Sequence, residues 1–108
     1  MTFPSRVRVG HKVFTVRYEV GLTKLADVTG GCMPDTEEVL VDSKLGPATE
    51  RETILHELLH ANWHMTLLEK VLPANKQEDV IYALTPGLLS LLRDNPELVT
   101  YLLEDESG

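Results

Sequence analysis

The chain has 108 residues, 43% hydrophobic and 25% charged, with a formal net charge of -7. These values fit one domain (1–108) with a modest core, and they argue against disorder except at residues 1–5 and 104–108. An acidic chain without a Lys/Arg block is poorly suited to nucleic acid, because phosphate contacts need clustered positive charge.

Arg6, Arg8, Lys12 and Arg17 form a local basic stripe, which reads as the wet face of a strand. The single cysteine, Cys32, excludes an internal disulfide and suits a reducing compartment. Residues 1–10 lack the apolar run of a signal peptide, and no stretch approaches the ~18 apolar residues of a membrane helix. A cytoplasmic protein with no membrane partner is expected.

Phe14, Val16, Tyr18 and Val20 alternate with Thr15, Arg17 and Glu19. That period of two predicts a half-buried strand over residues 12–20, ended by Gly21. Gly30-Gly31 and Pro34-Asp35 are turn signals, with Cys32 and Met33 able to begin a short strand between them. Glu38–Asp42 reads as a further strand on its run Val39, Leu40, Val41, and is taken as an edge strand.

Gly46-Pro47 breaks the chain. Thr49-Glu50-Arg51-Glu52 fits a capping box, so a long helix is expected from near Glu50 to before Pro73. Its buried face is assigned to Ile54, Leu55, Leu58, Leu59 and Ala61. A second helix is expected from about Gln77, with a stripe of Val80, Ile81, Leu84, Leu88, Leu91 and Leu92. Pro86, which has no amide hydrogen, is expected to kink or interrupt it. Asn95 and Pro96 suit the cap and first position of a third helix, whose apolar residues are Leu98, Val99, Tyr101 and Leu102. Strands first and helices after predict an α+β fold: a small antiparallel sheet followed by three helices.

The chemistry lies in His56-Glu57-Leu58-Leu59-His60. Histidines four apart on a helix project from one face, which suits two imidazoles on one tetrahedral metal. A carboxylate next to the first can take a proton from a water on that metal, whose pKa zinc lowers to about 7. Glu57 in an apolar helix is an odd way to build a plain core. A catalytic zinc also needs a third protein ligand. Glu78 and Asp79, near the start of the following helix, are candidates, and so is His64. On a straight helix, however, His56 and His64 stand ~12 Å apart along the axis, too far for one ion.

Thr53 to Ala61 resembles the metal-binding helix of the small zincin-like peptidases of bacteria and their phages, of which the ImmA/IrrE-like metallopeptidases are the best known. Glu38–Asp42 is similar to the strand beside that helix, and the likeness extends over roughly residues 11–103. It implies a minimal zincin-like domain that binds Zn2+, with a protein or peptide substrate, such as a repressor or another intracellular protein. The third ligand of such families is an acidic residue on the next helix, which falls on Glu78. Ile81-Tyr82 stands where many zincins carry Ala-Asp or Ala-Asn after that glutamate. The third histidine of the met-zincins is absent, with Asn62, Trp63 and His64 in its place.

Other residues carry two readings each. Cys32, beside Pro34-Asp35, is a small core residue or a thiol that blocks the zinc until displaced. Tyr82 packs in the core or donates to an oxyanion. Trp63 is core or cleft wall, and His11 an exposed turn residue. Two functions follow. One is a zinc metallopeptidase with His56, His60 and Glu78 as ligands and Glu57 as general base, acting on a peptide held beside residues 38–42. The other is a metal-stabilised protein-binding module without catalysis.

Overall fold

A computed structural model describes residues 4–64 and 68–104. Of the ends expected to be loose, residues 1–3 and 105–108 lie outside the described residues. Ser5 is tied down, since its carbonyl accepts the Val16 amide at 2.8 Å.

The first element is β1 (Arg6–Val9), a strand that the sequence offered only as part of a basic wet face and without bounds. It pairs antiparallel with β2 (Lys12–Glu19), in register Val9↔Lys12. The two-residue turn between them has Gly10 at φ 62, a conformation that primed hairpin turns assign to glycine. His11 is exposed in this turn, as expected. A short helix, α1 (Leu22–Ala26), leads to β3 (Gly30–Met33) and β4 (Glu38–Asp42).

The fold is α+β, as the element order implies. The sheet order is β1-β2-β4-β3, and the sheet is mixed rather than wholly antiparallel because β2 and β4 run parallel. β4 is therefore a central strand and not an edge. Its sequence agrees: Val39 and Val41 are fully buried on one face and Leu40 is half-buried on the other, the run expected of a strand covered on both sides. The exposed edge next to the helices belongs to β3.

The long helix α2 (Pro47–Trp63) covers one face of the sheet. Phe14, Val16, Val39, Val41, Val9 and Ala61 form the core, with Ile54 and Leu58 packed against it. The alternation in β2 holds for Phe14 and Val16 but not beyond, since Tyr18 is exposed and gives its hydroxyl hydrogen to Glu50 at 2.8 Å. α2 starts earlier than the expected capping box. Pro47 occupies its first turn and Gly46 its N-cap, with no side-chain cap. A proline there sacrifices an amide that has no helical partner anyway, so it displaces the Thr49 start. The helix ends at Trp63, and residues 65–67 of the expected longer helix lie outside the described residues.

After α3 (Leu68–Val71) comes α4 (Ala74–Asp94), which packs on α2 and runs through Pro86 without interruption. Thr85 Oγ1 donates to the Ile81 carbonyl at 2.6 Å, a side-chain bond within the turn that Pro86 weakens. α5 (Pro96–Leu102) begins with Asn95 and Pro96 where expected. Asn95 does not cap it, however, since its side-chain amide donates back to Leu91 O at 2.9 Å. Among the described residues no helix is long and apolar enough to cross a membrane.

Candidate metal centre

On α2 the buried polar and small residues Thr53, Glu57 and Ala61 recur every fourth position and face the sheet. His56 and His60 lie on the adjoining face, half-buried and turned toward α4. Their rings meet edge-on, with centroids 4.9 Å apart, and their Nε2 atoms are 3.2 Å apart. Two nitrogens ~2.0–2.1 Å from one tetrahedral ion stand about 3.3 Å apart, so the spacing suits a shared metal.

The third group comes from α4. Ile81 and Thr85 are buried, and Glu78 lies three and seven residues before them on the same helical face. Glu78 Oε1 is 2.9 Å from His56 Nε2, and Oε2 is 2.6 Å from His60 Nε2. Asp79, one step round the helix, and His64, at the C-cap of α2, are exposed.

Gln77 was not anticipated: His60 Nδ1–H donates to its Oε1 at 2.7 Å. No spacing rule singles out a glutamine 17 residues downstream. That bond selects the tautomer whose Nε2 carries a lone pair. The Nε2 lone pair then faces a carboxylate oxygen at 2.6 Å, which is repulsive unless a cation lies between them. At that distance a proton meets the need, and a tetrahedral ion would need the two atoms to part to about 3.3 Å; the donor set of two imidazoles and a carboxylate is one that zinc accepts.

Glu57 flanks this group, with ligand-type atoms of His56, Glu57 and His60 all within 4.8 Å of one another. It is 8% exposed. Its carboxylate makes no hydrogen bond or ion pair among the described residues. Burial first, and the Glu78 charge in addition, push its pKa up to about 7, with the His60 charge opposing.

The centre lies between two hollows. The larger, about 690 Å³, is bounded by the segment before β3, by α2 and by α4, and takes in His56, Glu57, Glu78 and Tyr82. The smaller, about 190 Å³, takes in Glu57, His60, His64, Gln77 and Cys32. A Cβ on Gly30 would stand 2.6 Å from Thr53 Cγ2, 2.8 Å from Leu40 O and 3.3 Å from Glu57 Cγ, so β3 approaches α2 here as only glycine allows. Residues 28–30, leading into β3, line the larger hollow, while β4 also packs against α2.

Cys32 is half-buried against the core, and burial, followed by the Glu57 charge, pushes its thiol up to about 11. Trp63 is buried, and Tyr82 is exposed on the wall of the larger hollow rather than packed in the core. No family model matches this chain, and no curated protein and no solved structure matches it.

Proposed function

We propose that this chain is a zinc metallopeptidase of the small zincin-like kind, distantly related to the ImmA/IrrE-like metallopeptidases. The observation that carries the reading is Glu78, which meets the Nε2 atoms of both His56 and His60 from a separate helix. His56, His60 and Glu78 would hold the zinc. Zinc bound there supplies an activated water and polarises the substrate carbonyl.

The chain's own residues do the rest. Gln77 fixes the His60 ring through Nδ1. Glu57 accepts the proton of the attacking water and returns it to the leaving amine nitrogen. The free edge of β3 offers backbone groups to an extended peptide, which lies in the larger hollow. The substrate is a protein or peptide of the same compartment, a repressor if the chain acts as the families it resembles do. The lone Cys32 supports the cytoplasm.

The test is metal analysis of the purified chain followed by peptide hydrolysis. One zinc per chain is expected, lost in His56→Ala. Glu57→Gln should keep zinc and lose hydrolysis. Absence of stoichiometric zinc in the purified chain would refute the reading.

A second reading, a metal-stabilised binding module, is favoured by one observation. Glu78 joins α4 to the imidazoles of α2, so an ion there would also pin the two helices. In that case Glu57→Gln leaves partner binding and function intact.

A further inference from the structure

α4 is covered on one side only. Its buried residues, Ile81 and Thr85, face α2. At about 100° a residue, a second strip lies roughly a third of a turn away and carries Val80, Ala83, Leu84, Gly87 and Leu91. All five are exposed, and Val80, Leu84 and Leu91 leave 36%, 50% and 50% of their surface in water. Apolar residues spaced by fours and threes make a packing seam rather than a solvated face.

Gly87 is the second observation. Glycine is a poor helix former beside alanine, yet a Cβ at this position would meet nothing within 4 Å. The chain itself therefore gives no packing reason for glycine there, while bare backbone lets another helix come close.

The third observation is the charge at the two ends. Lys76 and Asp94 close the strip, ~27 Å and about five whole turns apart, so they stand on the same side of α4. Neither makes an ion pair among the described residues. Each is nine residues from Thr85, one before it and one after.

We propose that this strip pairs antiparallel with the same strip of a second copy of the chain, about a two-fold axis at the level of residue 85. Lys76 of each copy then meets Asp94 of the other, at both ends of the seam, and Ala83 lies opposite Gly87 at its centre. Parallel pairing would set lysine on lysine and aspartate on aspartate. Glu78 and Tyr82 stand on the opposite flank of α4, so the pairing does not involve the metal centre or the larger hollow.

A seam one helix wide gives less than the roughly 800 Å² that each partner contributes to a standard interface, so a dissociation constant on the order of 10 μM is expected. Sedimentation equilibrium of the full chain over a range of concentrations measures it. Leu84→Glu should raise the constant about 100-fold or more, while Leu25→Glu, at an exposed leucine of α1, should leave it unchanged. Lys76→Glu and Asp94→Lys should each raise it about tenfold, and the two together should restore it. Both single changes suit the dipole of α4, an acid near its start and a base at its end, so neither is expected to unfold the helix.

A chain that stays monomeric up to about 1 mM overturns the proposal. A dimer indifferent to Leu84→Glu does so as well, since another face would hold it. A double charge swap that dimerises no better than the single changes overturns the antiparallel register.

Discussion

Gly30→Ala tests whether the close approach of β3 to α2 builds the site. The added methyl carbon would meet Thr53 Cγ2 at 2.6 Å and Leu40 O at 2.8 Å. The first contact can give, because it is a side chain, although Thr53 is buried and its hydroxyl is bound to Thr29 Oγ1 at 3.1 Å. The second cannot give without moving β4, which is hydrogen-bonded on both sides in the middle of the sheet. Overpacking of this kind costs about 1–3 kcal/mol, and the backbone contact puts this case in the upper half of that range.

In a chain of this length each kcal/mol lowers Tm by about 4 °C. Urea denaturation of the metal-free chain measures the loss. Thr53→Ser removes the methyl at 2.6 Å and should restore a minority of it in the double variant, because the clash with Leu40 O remains. The same displacement shifts Glu57, whose Cγ lies 3.3 Å from the new atom, so hydrolysis should fall more than zinc content. A Gly30→Ala chain within about 0.5 kcal/mol of the parent would refute the packing argument.

Three further outcomes follow from the geometry. In the metal-free chain Glu57 titrates at about 7 against an ordinary 4.5, so the folded state holds the extra proton. Stability should therefore fall as pH rises from about 4.5 to about 7, by at most about 3 kcal/mol. Glu57→Gln should flatten that slope in urea titrations, and a slope that survives the substitution contradicts the assignment. Gln77→Ala frees the His60 ring and should weaken zinc about 10–100-fold in competition with a chromophoric chelator, while Asp79→Asn leaves it unchanged. The Thr23 hydroxyl foremost, then the amides of Thr23 at 2.8 Å and Lys44 at 3.1 Å, hydrogen-bond to Asp42 and lower its pKa. Asp42→Asn should therefore destabilise at neutral pH, and the difference from the parent should shrink as pH falls through the lowered Asp42 pKa. Thermal melts down to pH 2 would expose an error if the gap stays constant.

The sequence carried the parts of this molecule that depend on local rules. Two histidines one turn apart share a face of any helix, so His56 and His60 could be placed before any tertiary contact was known. Period-two patterning found β2, and apolar density found β4. Pairing partners were not legible: Val39-Leu40-Val41 already carries the two-sided apolarity of a central strand, but the parallel partner lies some twenty residues upstream. β1 was legible only as a wet face, because Arg6 and Arg8 were read with Lys12 and Arg17 as one stripe and the alternating Val7 and Val9 were not used to bound a strand. The start of α2 was misplaced because two N-terminal signals compete there, and proline at the first turn outweighs a threonine cap two residues later. Glu78 was one of three candidates in the sequence, and which side of α4 meets α2 is read only from its buried face, Ile81 with Thr85. Gln77 and Gly30 act only through contacts across the fold, and those leave no mark on local spacing.

Glu57 joins these levels. It sits in a stripe with Thr53 and Ala61, at the middle of the helix face that covers the sheet. A leucine there would add apolar burial without the cost of desolvating a carboxylate. The upward shift of its pKa is the measure of that cost, so the fold of the metal-free chain is weakened by this residue. An ion held as proposed by His56, His60 and Glu78 would reverse the sign, because a dication within a few ångströms favours the carboxylate over the acid. The same side chain that is costly between strand and helix would then favour ion binding. Local conflict of this kind is expected where a fold is shaped by chemistry rather than by packing alone. It also explains why Gly30 must be small: a methyl group there would crowd Glu57 within the narrow space between strand and helix.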